Sequence, residues 1–126
     1  MQMNRKNILI IEDEPDICWV LERILKSRGF NPLVTLTGYE ALAVLNTHGV
    51  SLVFLDAKLP DIDGIDLARQ IKGIDPSIPI IMISGYFYRE DDTVREALGN
   101  ALICNFISKP FHNEDVLKVL GETSIL

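Results

Sequence analysis

Cysteine is scarce in this chain: two residues in 126, Cys18 and Cys104, far apart and outside any Cys-x-x-Cys or Cys/His spacing. That scarcity argues against a disulfide framework or a structural zinc site, and the expectation is two reduced core thiols in a cytoplasmic protein. Runs of lysine and arginine are also missing, and the formal net charge is −6. Without a basic patch this segment has no electrostatic footprint for direct nucleic-acid binding. The first apolar run, Ile8–Ile11, is too short for a signal-peptide core or a membrane span, so no membrane partner is expected. Internal linkers, repeats and low-complexity tracts are absent as well. What remains is ordinary globular composition, 48% hydrophobic and 24% charged. That composition fits one domain over residues 1–126, large enough to bury a real core.

Short apolar runs alternate with amphipathic stretches along the whole chain. Ile8–Ile11, Leu52–Leu55 and Ile80–Ile83 are continuous apolar runs, as strands buried on both faces should be. Leu33–Leu36 and Ile103–Ile107 read as two further strands. Between them, Ile17, Val20, Leu21, Ile24 and Leu25 fall at helical spacing, with Pro15 suited to the first turn and Gly29 to the position past the end. Trp19 points away from that stripe and is expected to be exposed. Thr37 and Glu40 resemble a capping box ahead of a helix through Ala41, Leu42, Val44 and Leu45. Leu67, Ala68 and Ile71 mark a third helix, Asp92–Leu98 a fourth, and Val116, Leu117, Val119 and Leu120 a fifth that Asn113 can cap. Strand–helix alternation of this kind specifies an α/β fold, a parallel sheet covered on both faces.

The residues that end the apolar runs carry the chemistry. Glu12 and Asp13 follow the first strand, Asp56 the third, Ser84 the fourth, and Lys109 the fifth. In a parallel sheet these all lie at one rim, where open α/β sheets bind ligands. Singly, each has an ordinary explanation as a cap, a turn former or a solvated charge. Together they gather three carboxylates, a hydroxyl and an ammonium. Such carboxylates repel one another unless a cation intervenes, and hard oxygen donors suit Mg²⁺. Asp56 is the candidate nucleophile, since carboxylates form aspartyl-phosphates. Lys109 and Ser84 are then placed to hold phosphoryl oxygens.

With those residues identified, the chain resembles the receiver domains of two-component response regulators. The resemblance runs from about Asn7 to Leu120. It rests on Ile-Leu-Ile-Ile-Glu12-Asp13-Glu-Pro, Leu-Asp56-Ala-Lys-Leu-Pro60-Asp-Ile-Asp-Gly64, Ile-Ser84-Gly and Lys109-Pro110-Phe111. It implies a flavodoxin-like, doubly wound, five-stranded sheet in the order 2-1-3-4-5 with five helices. It implies that Asp56 accepts phosphate from a sensor histidine kinase or a phosphotransfer protein, the domain assisting its own phosphorylation and dephosphorylation without being an enzyme in the usual sense. Mg²⁺ would be held by Asp13 and Asp56, by the Lys58 main-chain carbonyl, and by Glu12 through water. Ser84 and Phe106 would form a switch, the Lys109–Pro110 bond would be cis, and an output domain or partner would be contacted through the fourth helix, fifth strand and fifth helix.

Two features depart from the usual pattern. Glu12 stands where aspartate is more frequent, and Leu102-Ile103 replace a common Gly-Ala pair ahead of the fifth strand. Lys58 and Tyr86, each two residues past a site residue, flank the path of a hydrolytic water. Other readings fare worse. An aspartyl-phosphate phosphatase of the haloacid dehalogenase type needs a second Asp where Lys58 stands. A flavodoxin-like carrier needs a Ser/Thr/Gly-rich loop where Glu12-Asp13-Glu14-Pro15 stand. A receiver-like module that is never phosphorylated would have no need of the intact Asp13, Asp56, Ser84 and Lys109 set.

Overall fold

The continuous apolar runs are the buried strands of the structure. The computed structural model describes residues 5–125. Elements alternate as β1 (Asn7–Ile11), α1 (Pro15–Ser27), β2 (Asn31–Thr35), α2 (Gly38–Thr47), β3 (Leu52–Asp56), α3 (Gly64–Ile74), β4 (Ile80–Ser84), α4 (Asp92–Gly99), β5 (Asn105–Ser108) and α5 (Asn113–Glu122). The strands form one parallel sheet in the order β2-β1-β3-β4-β5, the expected topology.

Every residue of β3 and β4 is buried, because helices cover both faces of the sheet. On one face Ile8, Ile10, Phe54, Ile81 and Ile107 meet Leu21 and Leu25 of α1 and Val116 and Leu120 of α5. On the other, Leu9, Val53, Leu55 and Met82 meet Ala41 of α2, Leu67 and Ile71 of α3, and Val94 and Ala97 of α4. Each fully buried Ile or Leu contributes roughly 1.5–3 kcal/mol. Truncating Phe54 at the centre of the sheet would cost about 3–5 kcal/mol.

Helix ends follow the local sequence. α1 stops at Gly29, whose φ of 85° lies in the left-handed region. Its N–H reaches the Lys26 carbonyl and the next N–H, of Phe30, reaches that of Leu25. Thr37 caps α2 by accepting from the Glu40 N–H, but the reciprocal half of the expected capping box is absent. Asp61 serves the next two donors of the helix start, accepting from the Gly38 and Tyr39 N–H groups at 2.9 Å each. α5 is capped at His112, so Asn113 is its first residue and not its cap.

Both outer strands are displaced from their expected positions. β2 begins earlier, at Asn31-Pro32, because an edge strand pairs on one side only and tolerates proline. β5 begins later, at Asn105, because the Ile103 N–H is used by the Ala97 carbonyl in the turn leaving α4. The expectation of two core thiols holds for Cys18, which is buried, and fails for Cys104, which is exposed just ahead of the edge strand β5. Trp19 is exposed as expected and lies under the Arg23 guanidinium, 4.8 Å from the ring centroid. Among the described residues no helix is long and apolar enough to cross a membrane.

Candidate functional site

Parallel pairing brings the carboxyl ends of β1, β3, β4 and β5 to one rim, and the polar residues that ended the apolar runs meet there. Asp56 and Ser84 are the last residues of β3 and β4; Glu12 and Asp13 follow β1, and Lys109 follows β5. One carboxylate oxygen from each of Glu12, Asp13 and Asp56 lies within 4.8 Å of the others. Glu12, Asp56 and Ser84 are buried and Asp13 is exposed.

Lys109 anchors the cluster. Its Nζ stands 2.7 Å from Glu12 Oε1, 2.9 Å from Glu14 Oε1 and 3.6 Å from Asp56 Oδ2. Its N–H pairs with the Ser84 carbonyl at 2.9 Å, tying β5 to β4 at the rim. Sequence reasoning did not place Glu14 in this group. Glu14 occupies the N-cap position of α1, yet its carboxylate caps nothing and turns to Lys109. Its N–H meanwhile donates to Glu12 Oε2 at 3.2 Å.

The Lys109–Glu12 contact is a close ion pair: Oε1 is buried and its neighbour at 2.7 Å is the ammonium. Burial is the main cause that pushes the Glu12 carboxyl up to about 7; Asp56 adds to it and Lys109 opposes it. Burial raises Asp56 as well, held back by Glu12 and Lys109. Burial would depress Lys109, but its acidic neighbours Glu12, Glu14 and Asp56 outweigh it and raise the lysine. One ammonium therefore faces three carboxylates, two of them desolvated, with the exposed Asp13 carboxylate beside Glu12 and Asp56. A hard divalent cation matches that surplus negative charge, and the cluster of carboxylate oxygens is the donor set that suits Mg²⁺.

The loop after β3 is folded tightly around Asp56. The Lys58 N–H donates to Asp56 Oδ1 at 3.3 Å, Lys58 bridges to Asp63, and the Gly64 N–H reaches the Ala57 carbonyl. Gly64 is required there: a Cβ would lie 2.7 Å from Ala57 Cα and its carbonyl oxygen. Asp63 accepts from the Ile65 and Asp66 N–H groups and starts α3. Lys58 Nζ sits 4.0 Å from the ring centroid of the exposed Tyr86. Ser84 Oγ accepts from the Tyr86 and Phe87 N–H groups at 2.9 Å each. Phe106 is 3% exposed, turned into the core, and the Lys109–Pro110 bond is cis.

Comparison with known proteins agrees with this geometry. The family described as the response regulator receiver domain matches residues 8–121. A Rickettsia bellii protein named for its likeness to the response regulator NtrX is 36% identical over 123 residues, 94% of this chain. The chain spans 24% of that protein's length and 46% of the length of the cell cycle transcriptional regulator CtrA of Caulobacter vibrioides, to which it is 34% identical. Among solved structures, a CheY-like receiver domain protein from Methanospirillum hungatei superposes with a TM-score of 0.86 at 28% identity. That match covers 95% of this chain and 94% of the other. The response regulator TrrA of Thermotoga maritima, in complex with Mg²⁺-BeF, superposes with a TM-score of 0.80 at 25% identity over 93% of this chain and 97% of its own. Shared sequence, shared topology and the acidic rim lead to one statement: this chain belongs to the receiver domain family of response regulators.

Proposed function

We propose that the domain takes a phosphoryl group onto Asp56 from a sensor histidine kinase or a phosphotransfer protein, in a Mg²⁺-dependent reaction. The observation that carries this reading is the meeting of Glu12, Asp13 and Asp56 oxygens within 4.8 Å beside the Lys109 ammonium. Asp13 and Asp56 would hold the ion by their carboxylates, Lys58 by its main-chain carbonyl, and Glu12 through water. When bound, Mg²⁺ supplies positive charge to a phosphoryl oxygen. TrrA, a relative in fold and sequence, is described with Mg²⁺ and a beryllium fluoride group, which supports the same ligand class here.

The chain's own residues do the rest. An Asp56 oxygen attacks phosphorus as the bond from phosphorus to the donor imidazole nitrogen breaks, and that nitrogen keeps the electron pair and takes up a proton. Lys109, already 3.6 Å from Asp56, exchanges a carboxylate partner for a phosphoryl oxygen. Ser84 Oγ offers its hydroxyl to another oxygen. The low-dielectric surroundings make these contacts count, and positioning carries most of the catalysis.

Signalling would follow from Ser84 and Phe106. A hydroxyl drawn toward the phosphoryl group changes the β4–α4 loop, and the Phe106 ring on β5 responds, altering the surface formed by α4, β5 and α5 for an output domain or partner. The chain itself is then a phosphoacceptor in a cytoplasmic pathway, with no direct contact to nucleic acid. Incubation with acetyl phosphate and Mg²⁺, followed by intact mass, tests the proposal. One phosphoryl group should appear on the wild type and none on Asp56→Asn. An unlabelled wild type, under conditions that label a known receiver, would instead support a module that signals without phosphate.

A further inference from the structure

Glu14 is the acid at the rim that the proposed chemistry does not use. Its Oε1 lies 2.9 Å from Lys109 Nζ, on the same ammonium that Glu12 and Asp56 approach at 2.7 and 3.6 Å. The side chains of Glu12 and Asp56 are 2% and 7% exposed, and that of Glu14 is 59% exposed. Of the three carboxylates on Lys109, only Glu14's is open to solvent. Both the 2.9 and the 3.6 Å contacts end at one ammonium, so the Glu14 charge lies nearer the Asp56 oxygen than the Debye length of about 8 Å at physiological ionic strength.

Neither helix capping nor stability accounts for this side chain. Glu14 is the N-cap residue of α1 and has the extended backbone of a cap, yet its carboxylate makes no cap hydrogen bond. The side chains that cap well are shorter, and the added length of glutamate carries its carboxylate away from the helix start to a lysine 95 positions along the chain. An ion pair with one partner this exposed stabilises a fold little. Lys109 already has the buried Glu12 carboxylate beside it, so Glu14 adds negative charge to a rim that holds Glu12, Asp13 and Asp56.

We infer that Glu14 sets the charge selectivity of the Asp56 site, disfavouring phosphodonors in proportion to their negative charge and favouring a divalent cation. The inference rests on the proposed phosphoacceptor role. Its sign comes from Coulomb's law alone: a carboxylate at this range repels an anion and attracts a cation whatever arrangement Ser84 and Phe106 adopt. Every donor brings negative phosphoryl oxygens to Asp56, but donors differ in the charge of the leaving group. A protonated nitrogen on phosphorus, as in a phosphoimidazolium, offsets one of those charges. An acyl phosphate has no such offset. Glu14 therefore penalises small acyl phosphates more than phosphoryl groups carried on nitrogen.

Second-order rates of labelling, read by intact mass with Mg²⁺ saturating each protein, test this with two donors. In both, an Asp56 oxygen forms the bond to phosphorus. Acetyl phosphate, a dianion near neutral pH, releases acetate; phosphoramidate, with one net negative charge, releases ammonia. Glu14→Gln should speed labelling by acetyl phosphate roughly threefold more than labelling by phosphoramidate, the factor for one unit of charge at this range in a water-like dielectric. In about 1 M salt, where the Debye length is about 3 Å, that difference should vanish. Titration calorimetry should show Mg²⁺ bound several-fold more weakly by Glu14→Gln, whereas a merely structural role would slow labelling as well. Glu14→Asp keeps the charge and should keep the wild-type ratio of the two donors. An unchanged donor ratio in Glu14→Gln, or Mg²⁺ bound equally well, would overturn the role of Glu14 and leave the phosphoacceptor reading intact. A wild type labelled by neither donor would overturn both.

Discussion

Lys109 Nζ lies 2.7 Å from a Glu12 oxygen that has almost no contact with solvent. The lysine neutralises a buried acid whose other support is one backbone N–H, that of Glu14. Lys109→Ala removes that charge and leaves Glu12 and Asp56 facing each other. The variant should lose about 2–3 kcal/mol of stability in urea unfolding at pH 8. The loss should shrink at pH 5.5, where Glu12 takes up a proton. Equal losses at both pH values would show that the lysine matters by packing alone.

The pH dependence of Glu12 itself has a definite sign. Its folded-state pKa is about 7 against an ordinary value of 4.5, so the folded protein holds that proton more tightly than the unfolded chain. Its contribution to stability is fully present below about 4.5 and is lost as pH rises through 7. Asp61 and Asp75, lowered by hydrogen bonds from Gly38, Tyr39 and Ser77, act in the opposite direction at more acid pH. The Glu12 share is isolated by subtracting the profile of Glu12→Gln. The wild type should gain less than this variant as pH rises from 5 to 8, and Mg²⁺ should erase the difference. Calorimetric titration of Mg²⁺ at pH 6.5 in buffers of different ionisation enthalpy should register proton release. A result independent of buffer would remove Glu12 from the metal's surroundings.

How much of this was visible in the chain depends on whether the signal was local. β1, β3 and β4 are apolar runs closed by a polar residue, so their ends, and with them Glu12, Asp13, Asp56 and Ser84, could be placed from the sequence. The edge strands were blurred because one-sided pairing lets Pro32 enter β2 and leaves Ile103 to the turn before β5. Glu14 escaped notice because its partner is 95 positions away and its own place, beside Pro15 at a helix start, already had a sufficient explanation. The hydrogen bonds that join Arg89, Asn105 and Glu122 left no trace for the same reason: none of these residues sits in a recurring motif, and only folding brings them together.

Two glycines at helix starts, Gly64 beside the site and Gly38 on α2, should respond differently to alanine. At Gly64 the added Cβ meets backbone of Ala57 at 2.7 Å and the Asp56 carbonyl at 2.8 Å, neither of which can rotate away. Gly64→Ala should cost about 2–4 kcal/mol and slow labelling of Asp56 by acetyl phosphate. At Gly38 the Cβ meets the Cγ2 methyl of Ile62, a side-chain atom that moves away when χ1 turns, whereas backbone cannot. Gly38→Ala should cost less, and adding Ile62→Ala should recover most of the loss. Thermal unfolding of the three variants decides the point. Similar losses in all three would mean that the helix starts, and not the close approaches, set the cost.

Tyr86 and Lys58 govern the last prediction, which concerns how long the phosphoryl group stays. The Lys58 ammonium lies 4.0 Å from the Tyr86 ring centroid, and both residues are two positions beyond a pocket residue. Each holds the other in place by cation–π attraction, worth roughly 0.5–1 kcal/mol at an exposed site. The pair should slow a water that attacks the phosphorylated carboxylate from this side. Tyr86→Ala should therefore shorten the phosphorylated lifetime by roughly two- to fivefold, the factor that such an attraction corresponds to. Lys58→Met should shorten it less, because the ring remains without its cation. The decay of the phosphorylated mass after removal of acetyl phosphate measures both. A lifetime unchanged in Tyr86→Ala would mean that water reaches Asp56 by another route and that the pair has no part in timing the signal.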